Sequence, residues 1–290
     1  LQRNIRNKSI DDATAQMTFS FIISSGSHFI LLYIAVQYAA DFNTAMYLFI
    51  KRLVVRLLPE RFIRRIEFYL RFLYSLFYLG SAVRCNLCEG RFSRFIFLES
   101  GDLLCPRCGS LPRHRRLWEI LQSFFPEMDG MKILHFSPSR MLQKKLLSNR
   151  HLQYVTTDYD TKAHTDKHYD ITRIPEPDEN YSLIICFHVL EHISDDRQAI
   201  RELYRVTEPG GRVFIQTPFQ EGDIYEDVTR TTPDERRRDF GQEDHVRIYS
   251  IEGLVNRLHE AGFAVQVERY EQDPQMGLKE ETVLVCRKTK

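Results

Sequence analysis

The clearest periodic signal lies in the second half of the chain. Lys132-Ile-Leu-His-Phe136 is a short buried-strand pattern, Met141–Asn149 has helical spacing, and Tyr154-Val155 enters a second strand that ends at Asp158. Leu183-Ile-Ile-Cys-Phe187 is a near-continuous apolar run of the kind that parallel strands covered on both faces require. Between Asp195 and Val206, Ile200, Leu203 and Val206 fall on one helical face, and Arg197, Arg201 and Glu202 on the other. Pro209-Gly210-Gly211 stops that helix and Arg212–Thr217 reads as a strand. Ile251–Ala261 is a helix closed by Gly262, and Phe263–Arg269 with Thr282–Cys286 are two strands expected to pair antiparallel. This alternation predicts a doubly wound α/β sheet whose ligand lies across the carboxyl ends of the first strands.

The front of the chain has a different pattern. From Tyr47 to Leu79 aromatic and aliphatic positions (Phe49, Leu53, Leu57, Phe62, Ile66, Tyr69, Phe72, Leu76) alternate with Lys51, Arg52, Arg56, Arg61, Arg64, Arg65 and Arg71. Pro59 is expected to divide two helices. A basic amphipathic helix either packs its stripe on its own protein, lies in an anionic membrane interface, or holds nucleic acid. Packing is the first expectation for 47–79, with peripheral membrane contact second. Further upstream, Ala13–Ala40 runs 28 residues without Asp, Glu, Lys or Arg, but Ser24, Ser25, Gly26, Ser27 and His28 interrupt it. It falls short of a membrane span and of a compact signal-peptide core. Residue 1 is Leu, and Met46 opens the basic segment. Residues 1–45 are therefore expected to be poorly constrained, with translation beginning near Met46.

Composition changes this picture only by exclusion. With 43% hydrophobic and 27% charged residues, the chain is neither collagenous, low-complexity nor a multi-pass membrane protein. The net charge of +1 hides an asymmetry. Residues 46–118 carry 14 Lys/Arg against 5 Asp/Glu, so the remainder is acidic. A basic front joined to an acidic body suits salt-bridging between them as well as an outside polyanion.

Four of the six cysteines stand as Cys85-Asn-Leu-Cys88 and Cys105-Pro-Arg-Cys108, and Cys186 and Cys286 lie singly in apolar runs. Two CxxC turns, joined by a hairpin expected from Phe92–Leu98 and Gly101-Asp102, make a tetrahedral site of four thiolates of the zinc type. In so small a module the metal replaces a core that the chain is too short to build. Arg91, Arg94, Arg107, Arg113, Arg115 and Arg116 surround it. They suit phosphate or ion pairs with the body. The expected organisation is thus an extension over 1–45, a basic helical segment over 46–82, a zinc-ribbon-like module over 83–118 and an α/β domain over 119–290. The cysteine usage suits a reducing, cytoplasmic setting.

Tyr181-Ser-Leu-Ile-Ile-Cys-Phe-His188-Val-Leu-Glu191-His192-Ile, then Arg201-Glu-Leu-Tyr-Arg205-Val and Glu208-Pro-Gly-Gly211, resemble the class I S-adenosylmethionine (SAM)-dependent methyltransferases of the type 11-like group. The resemblance covers about residues 130–288. Within it, a leading cysteine-containing segment, the His135-Phe-Ser-Pro138 loop and Phe240–Tyr249 resemble one subgroup. What the resemblance implies is an enzyme with a seven-stranded Rossmann-like sheet that binds SAM. Asp158 then resembles the acid that holds both ribose hydroxyls, and Asp170, with Ile171 beside it, the loop that reads and covers the adenine. Phe187 and His188 end the fourth strand of that sheet, beside the reactive methyl, and His188 is the candidate base for an oxygen nucleophile. His135, Ser137 and Ser139 belong to the first loop, which departs from the family by lacking glycine. Glu191, His192, Glu226, His245, Arg247 and Tyr249 are the candidate substrate-facing residues.

The expected reaction is methyl transfer to a small molecule, with a sugar or lipid-linked intermediate favoured. An RNA base methyltransferase with a leading zinc module is the second reading. The Asn/Asp-Pro-Pro-aromatic stretch that many amino-group methyltransferases use is replaced by Phe187-His-Val-Leu190, which weighs against amino methylation. A zinc-ribbon binding protein with a non-catalytic body is the third.

Overall fold

The structure is a computed structural model and describes residues 60–98, 100–124 and 128–289. Residues 1–45, the 46–59 part of the basic segment and the expected break at Pro59 lie outside the described residues. Helix α1 (Glu60–Ser75) leads through the turn Leu76–Tyr78 into β1 (Leu79–Arg84), which pairs antiparallel with β2 (Arg91–Phe92). β3 (Ile96–Phe97) and β4 (Leu103–Leu104) form the hairpin between the two CxxC turns. Helix α2 (Pro112–Phe124) then carries the chain into the body.

The body begins with β5 (Lys132–Phe136), α3 (Arg140–Leu147), β6 (Gln153–Thr157) and β7 (Tyr181–Phe187). A single turn at Leu190–His192 precedes α4 (Asp196–Val206) and β8 (Thr207–Gln216). Short strands β9 (Phe219–Gln220) and β10 (Tyr225–Glu226) and helix α5 (Pro233–Phe240) follow. The chain closes with β11 (Arg247–Ser250), α6 (Ile251–Glu260), β12 (Phe263–Tyr270) and β13 (Glu281–Lys288). The main sheet has the order β12-β13-β8-β7-β5-β6. β6, β5, β7 and β8 are parallel, and β13 and β12 run antiparallel to their neighbours. The chain steps from β5 outward to β6 and returns to β7 on the opposite side of β5, so the topological switch point lies at the carboxyl ends of β5 and β7.

Seven strands were expected, and six form this sheet among the described residues. The segment between β6 and β7 adds no strand: it forms isolated bridges, parallel at Thr157↔Lys167 and local at Asp170↔Arg173, and side-chain bonds from Asp166 and to Thr157 hold it to β6. Its sequence explains this. Tyr159–Asn180 is mostly charged and polar, has no apolar alternation, and contains Pro175 and Pro177, which cannot donate to a ladder.

The core follows the sequence pattern. Ile184, Cys186, Val213, Ile215, Leu284 and Cys286 are completely buried, and Ala199, Ile200, Leu203 and Val206 of α4 pack against them. Each such aliphatic side chain contributes about 1.5–3 kcal/mol on burial. Asp195 caps α4 by accepting from Gln198 N at 3.0 Å. The sheet is thereby a rigid floor, and the loops at its carboxyl edge are what it positions.

Candidate active site and metal centre

The two CxxC turns are built alike. Cys85 N donates to Gly90 O and Glu89 N to Cys85 O, while Cys105 N donates to Ser110 O and Gly109 N to Cys105 O. Both turns need a left-handed residue at the same place, supplied by Glu89 (φ 59°) and Gly109 (φ 71°). The four sulfurs converge, with Cys85 Sγ and Cys108 Sγ, and Cys88 Sγ and Cys105 Sγ, each 3.7 Å apart. Metal–sulfur bonds of ~2.3 Å in a tetrahedron place sulfurs about 3.8 Å apart, so the donors fit a metal ion. Ser110 Oγ lies 3.3 Å from Cys85 Sγ and 3.2 Å from Cys108 Sγ, a hydroxyl placed to support the thiolates.

The module is bolted to the body by arginines. Arg115 is fully buried and donates to Ser110 O (2.7 Å), Leu103 O (2.9 Å), Met276 O (2.8 Å) and Gly277 O (2.7 Å), with its guanidinium over the Phe95 ring. Gly277 has φ 61°, and a Cβ there would sit 2.5 Å from Phe95 and 2.8 Å from Arg115 Nη2. Arg116, also buried, donates to Lys279 O and pairs with Glu119. On the other side of the module, Glu67 of α1 pairs with Arg140 at 2.6 Å, and Lys145 with Glu89 at 2.9 Å. The described part of the basic helix therefore meets the body through the exposed Glu67–Arg140 ion pair and Lys144 over the Phe68 ring, not by burying the expected apolar stripe. Phe68, Tyr69, Leu73, Leu76 and Phe77 on and after α1 stay exposed.

These contacts set the front module beside the carboxyl edge of β5. A cleft of about 340 Å³ is lined by Glu67, Arg71, Cys108, His114, Ser139 and Arg140. The glycine-free first loop takes the turn that glycine usually makes, with Ser137 at φ 48° and its N–H continuing the β5–β6 ladder to Thr157 O at 2.8 Å. Ser139 starts α3, and its buried Oγ has no hydrogen-bond partner among the described residues. His135 lies deeper, 2% exposed, with Nδ1 2.8 Å from Tyr154 Oη, and burial pushes its pKa down to about 3.

Asp158 follows β6 directly and is half-buried, with Oδ1 accepting from Asp160 N at 2.9 Å. Tyr169 N donates to Thr157 Oγ1 at 3.0 Å, which draws the Asp170 loop to the same edge. Asp170 is exposed, and its Oδ1 is engaged by Thr172 N and Thr172 Oγ1. Ile171 is 3% exposed and belongs to the core cluster. Phe187 ends β7 opposite Gln216. Gln216 Oε1 and Thr217 Oγ1 are buried without partners among the described residues. Ser137, Ser139, Asp158, Asp170 and Phe187 are thus gathered along one sheet edge.

Immediately after β7 the backbone is strained. His188 has φ 54°, a left-handed conformation that costs a non-glycine residue ~1–2 kcal/mol. Its N–H donates to Gln216 O at 2.8 Å, and its Nδ1 lies 3.1 Å from Glu191 Oε1. Glu191 is 1% exposed. Burial pushes its carboxyl up, but the hydrogen bond and charge of His188 outweigh that and hold it below the usual range. Val246 N donates to Glu191 O at 2.9 Å, and this tie brings His245 beside Glu191 and His192. One donor atom from each of Glu191, His192 and His245 lies within 4.8 Å of the others.

The remaining candidates form the frame of that turn. Arg247 is 5% exposed and donates to the carbonyl of Ile193 and, at 2.9 Å, to Ser194 O. Glu226 joins Arg247 (2.9 Å) to Arg257 (2.7 Å). Tyr249, fully buried, donates to Asp196 Oδ2, which also pairs with Arg257. Arg247 and Tyr249 therefore hold the Leu190–Ser194 turn from beneath. His114, which the sequence places only among the basic groups around the cysteines, lines the cleft, and burial and Arg113 push its pKa down to about 3. Sequence reading missed Gln216 and Thr217. Asp244, read in sequence with His245 as part of one substrate-facing segment, meets His192 Nδ1 at 3.2 Å.

A methyltransferase domain family matches this chain over residues 116–268. The chain belongs to that family. Its sheet is the class I SAM-dependent methyltransferase fold, with a possible metal-binding cysteine cluster placed before it. It is 31% identical over 100 residues to a "probable S-adenosylmethionine-dependent methyltransferase" of Mycolicibacterium smegmatis, covering 34% of this chain and 35% of that protein. Over 42 residues it is 43% identical to a ubiquinone biosynthesis O-methyltransferase of Pseudomonas savastanoi, covering 14% of this chain and 18% of that one. The chain thus spans about a third and about a fifth of these two relatives. A solved SAM-dependent methyltransferase from Mesorhizobium loti shares 14% identity with a TM-score of 0.43, over 59% of this chain and 96% of that one.

Proposed function

We propose that this methyltransferase-family chain transfers a methyl group from SAM to an oxygen of a small molecule, with a sugar or lipid-linked acceptor favoured. The observation that carries the reading is the His188–Glu191 pair at the carboxyl end of β7. Bound SAM supplies an electrophilic methyl group on sulfur. The chain's residues bind, orient and move a proton around it. Asp158 accepts the ribose hydroxyls, and Asp170 accepts from the adenine amine, with Ile171 and Phe187 as the apolar side of the pocket. The orphaned Ser139 Oγ, at the start of α3 where donors face outward, fits a carboxylate tail, and Ser137 lies on the same loop.

His188 takes the acceptor hydroxyl's proton. Glu191 engages Nδ1 at 3.1 Å, so the proton arrives at Nε2. The buried Glu191 carboxylate then steadies the imidazolium, as a carboxylate orients the base in a triad. In-line methyl transfer asks little else of the protein beyond alignment. Glu191, His192 and His245 border the acceptor side, with Glu226, Arg247 and Tyr249 behind them. The four-cysteine metal is zinc in this reading, and its work is to hold the module against the body.

The exposed run Phe68, Tyr69, Leu73, Leu76 and Phe77 supports a lipid-linked acceptor and a peripheral membrane contact. No helix among the described residues is long and apolar enough to cross a membrane. An RNA acceptor stays second, because Arg115 and Arg116, two of the module's arginines, are buried against backbone carbonyls. The cofactor half of the reading is tested by titration calorimetry of SAM and its demethylated product into the purified chain. Saturable binding of both is expected, and no heat from either would sink the reading.

A further inference from the structure

We infer that Glu191, His192 and His245 form a second metal site, distinct from the four-cysteine cluster, that takes a zinc-type divalent cation. Three side chains from two separate segments converge there, with one donor atom from each within 4.8 Å of the others. That convergence alone does not make a site. The second observation is Glu191 itself, which is 1% exposed and whose Oε2 has no hydrogen-bond partner among the described residues. A buried carboxylate oxygen left unpaired is unfavourable unless a cation or donor meets it. Its other oxygen is engaged by His188, so Oε2 is the one available to a metal.

The two histidines are prepared for the same task. His245, 4% exposed, has Nδ1 3.2 Å from Phe240 O. A carbonyl only accepts, so Nδ1 carries the hydrogen and Nε2 keeps its lone pair. His192 Nδ1 lies 3.2 Å from Asp244 Oδ2, and a carboxylate fixes the same tautomer. An oxygen acceptor on the second ring nitrogen is the usual support of a metal-binding histidine. The rings meet edge to face, 4.7 Å between centroids at 82°. The frame is rigid, because Val246 N holds Glu191 O and Arg247 holds Ile193 O and Ser194 O.

The donor set selects the cation. Two imidazoles and one carboxylate suit zinc or its late first-row neighbours, whereas magnesium and calcium prefer all-oxygen shells. Three protein ligands leave a tetrahedral ion one open position. On the reading proposed above, that position takes an oxygen of the acceptor beside His188. The metal site itself does not depend on that reading.

The test is cobalt(II) titration of the full chain, purified under reducing conditions and freed of metal, followed by absorption and calorimetry. Thiolate-bound cobalt gives intense charge-transfer absorption, and a site of two imidazoles and a carboxylate does not, so the two sites report separately. The parent should take up two equivalents, one with the thiolate bands and one without. Glu191→Gln and the half-buried His192→Ala should weaken the band-free equivalent at least tenfold, leaving the thiolate bands intact. Asp244→Asn should weaken it ~10- to 100-fold through the lost support of His192. Uptake of the thiolate equivalent alone by the parent would overturn the inference, as would a second equivalent unchanged in all three variants. A second equivalent behaving as expected in a chain that binds no SAM supports the metal site and rejects only the methyl-transfer reading.

Discussion

His188 and Glu191, three residues apart, face each other across the turn after β7 with Nδ1 3.1 Å from Oε1. The turn achieves this by holding His188 in a left-handed conformation, a strain that the surrounding hydrogen bonds to Gln216 and Arg247 sustain. The pair should behave as one unit. Positioned general bases contribute ~10²–10⁴ in rate, so His188→Ala and Glu191→Gln should each lower methyl transfer within that range. The double variant should lose little more than either alone, measured as labelled methyl transferred per minute to the acceptor fraction.

Asp158 is expected to hold the cofactor rather than to do chemistry. Asp158→Ala should weaken SAM and its demethylated product alike. Hydrogen bonds to a charged acceptor are worth ~1.5–3 kcal/mol, which predicts a roughly 10- to 150-fold loss by calorimetry. Equal affinity in the variant and the parent would reject the assignment.

Ser137 carries the left-handed turn of the first loop at φ 48°. Ser137→Gly should relieve strain and raise stability by about 0.5–1 kcal/mol, whereas Ser137→Val should lower it by more. Paired urea melts check the sign, and a glycine variant less stable than the parent contradicts the strain account.

Much of the site was legible in the sequence, and what was not has physical causes. The CxxC spacing announced the sulfur cluster because ligand geometry is local. The apolar run Leu183–Phe187 and the α4 stripe located the sheet edge, and Asp158 could be placed by counting to the end of β6. A left-handed serine or histidine leaves no such mark, since only glycine advertises a positive φ. The meeting of His245 with Glu191 and His192 depends on one long-range backbone bond from Val246, which no local pattern encodes. Arg115 looked like a surface cation among many, yet it is buried against four carbonyls. Helix α5 was missed despite its signal. Thr232-Pro-Asp-Glu235 is a capping box with proline at the helix start, set in a charged insert with no apolar stripe.

Arg115 predicts how the module and body unfold. Arg115→Met removes the donor shared by Ser110, Leu103, Met276 and Gly277, and leaving buried carbonyls unpaired costs ~1–3 kcal/mol each. The variant should melt well below the parent, and Cys105→Ser should loosen the module before the body. A single unchanged transition in both would contradict this coupling.

Glu281 gives a pH signature. Burial pushes its carboxyl up to about 7 against the opposing pull of Arg116, and its Oε2 has no hydrogen-bond partner among the described residues. A raised carboxyl binds its proton more tightly in the folded state, so its contribution to stability falls as pH rises from about 4.5 through 7. Glu281→Gln should therefore match the parent at pH 4 and exceed it in thermal stability at pH 8. A variant less stable than the parent at pH 8 would reverse the sign and refute the assignment.

The central claim, methyl transfer from SAM to a small hydroxyl-bearing acceptor, is tested most directly with methyl-labelled SAM. The purified chain is incubated with a host extract separated into small-molecule, lipid, RNA and protein fractions, beside the His188→Ala variant. The account predicts label in the small-molecule or lipid fraction with the parent and at least a hundredfold less with the variant. Label confined to RNA, or equal labelling by parent and variant, would contradict it.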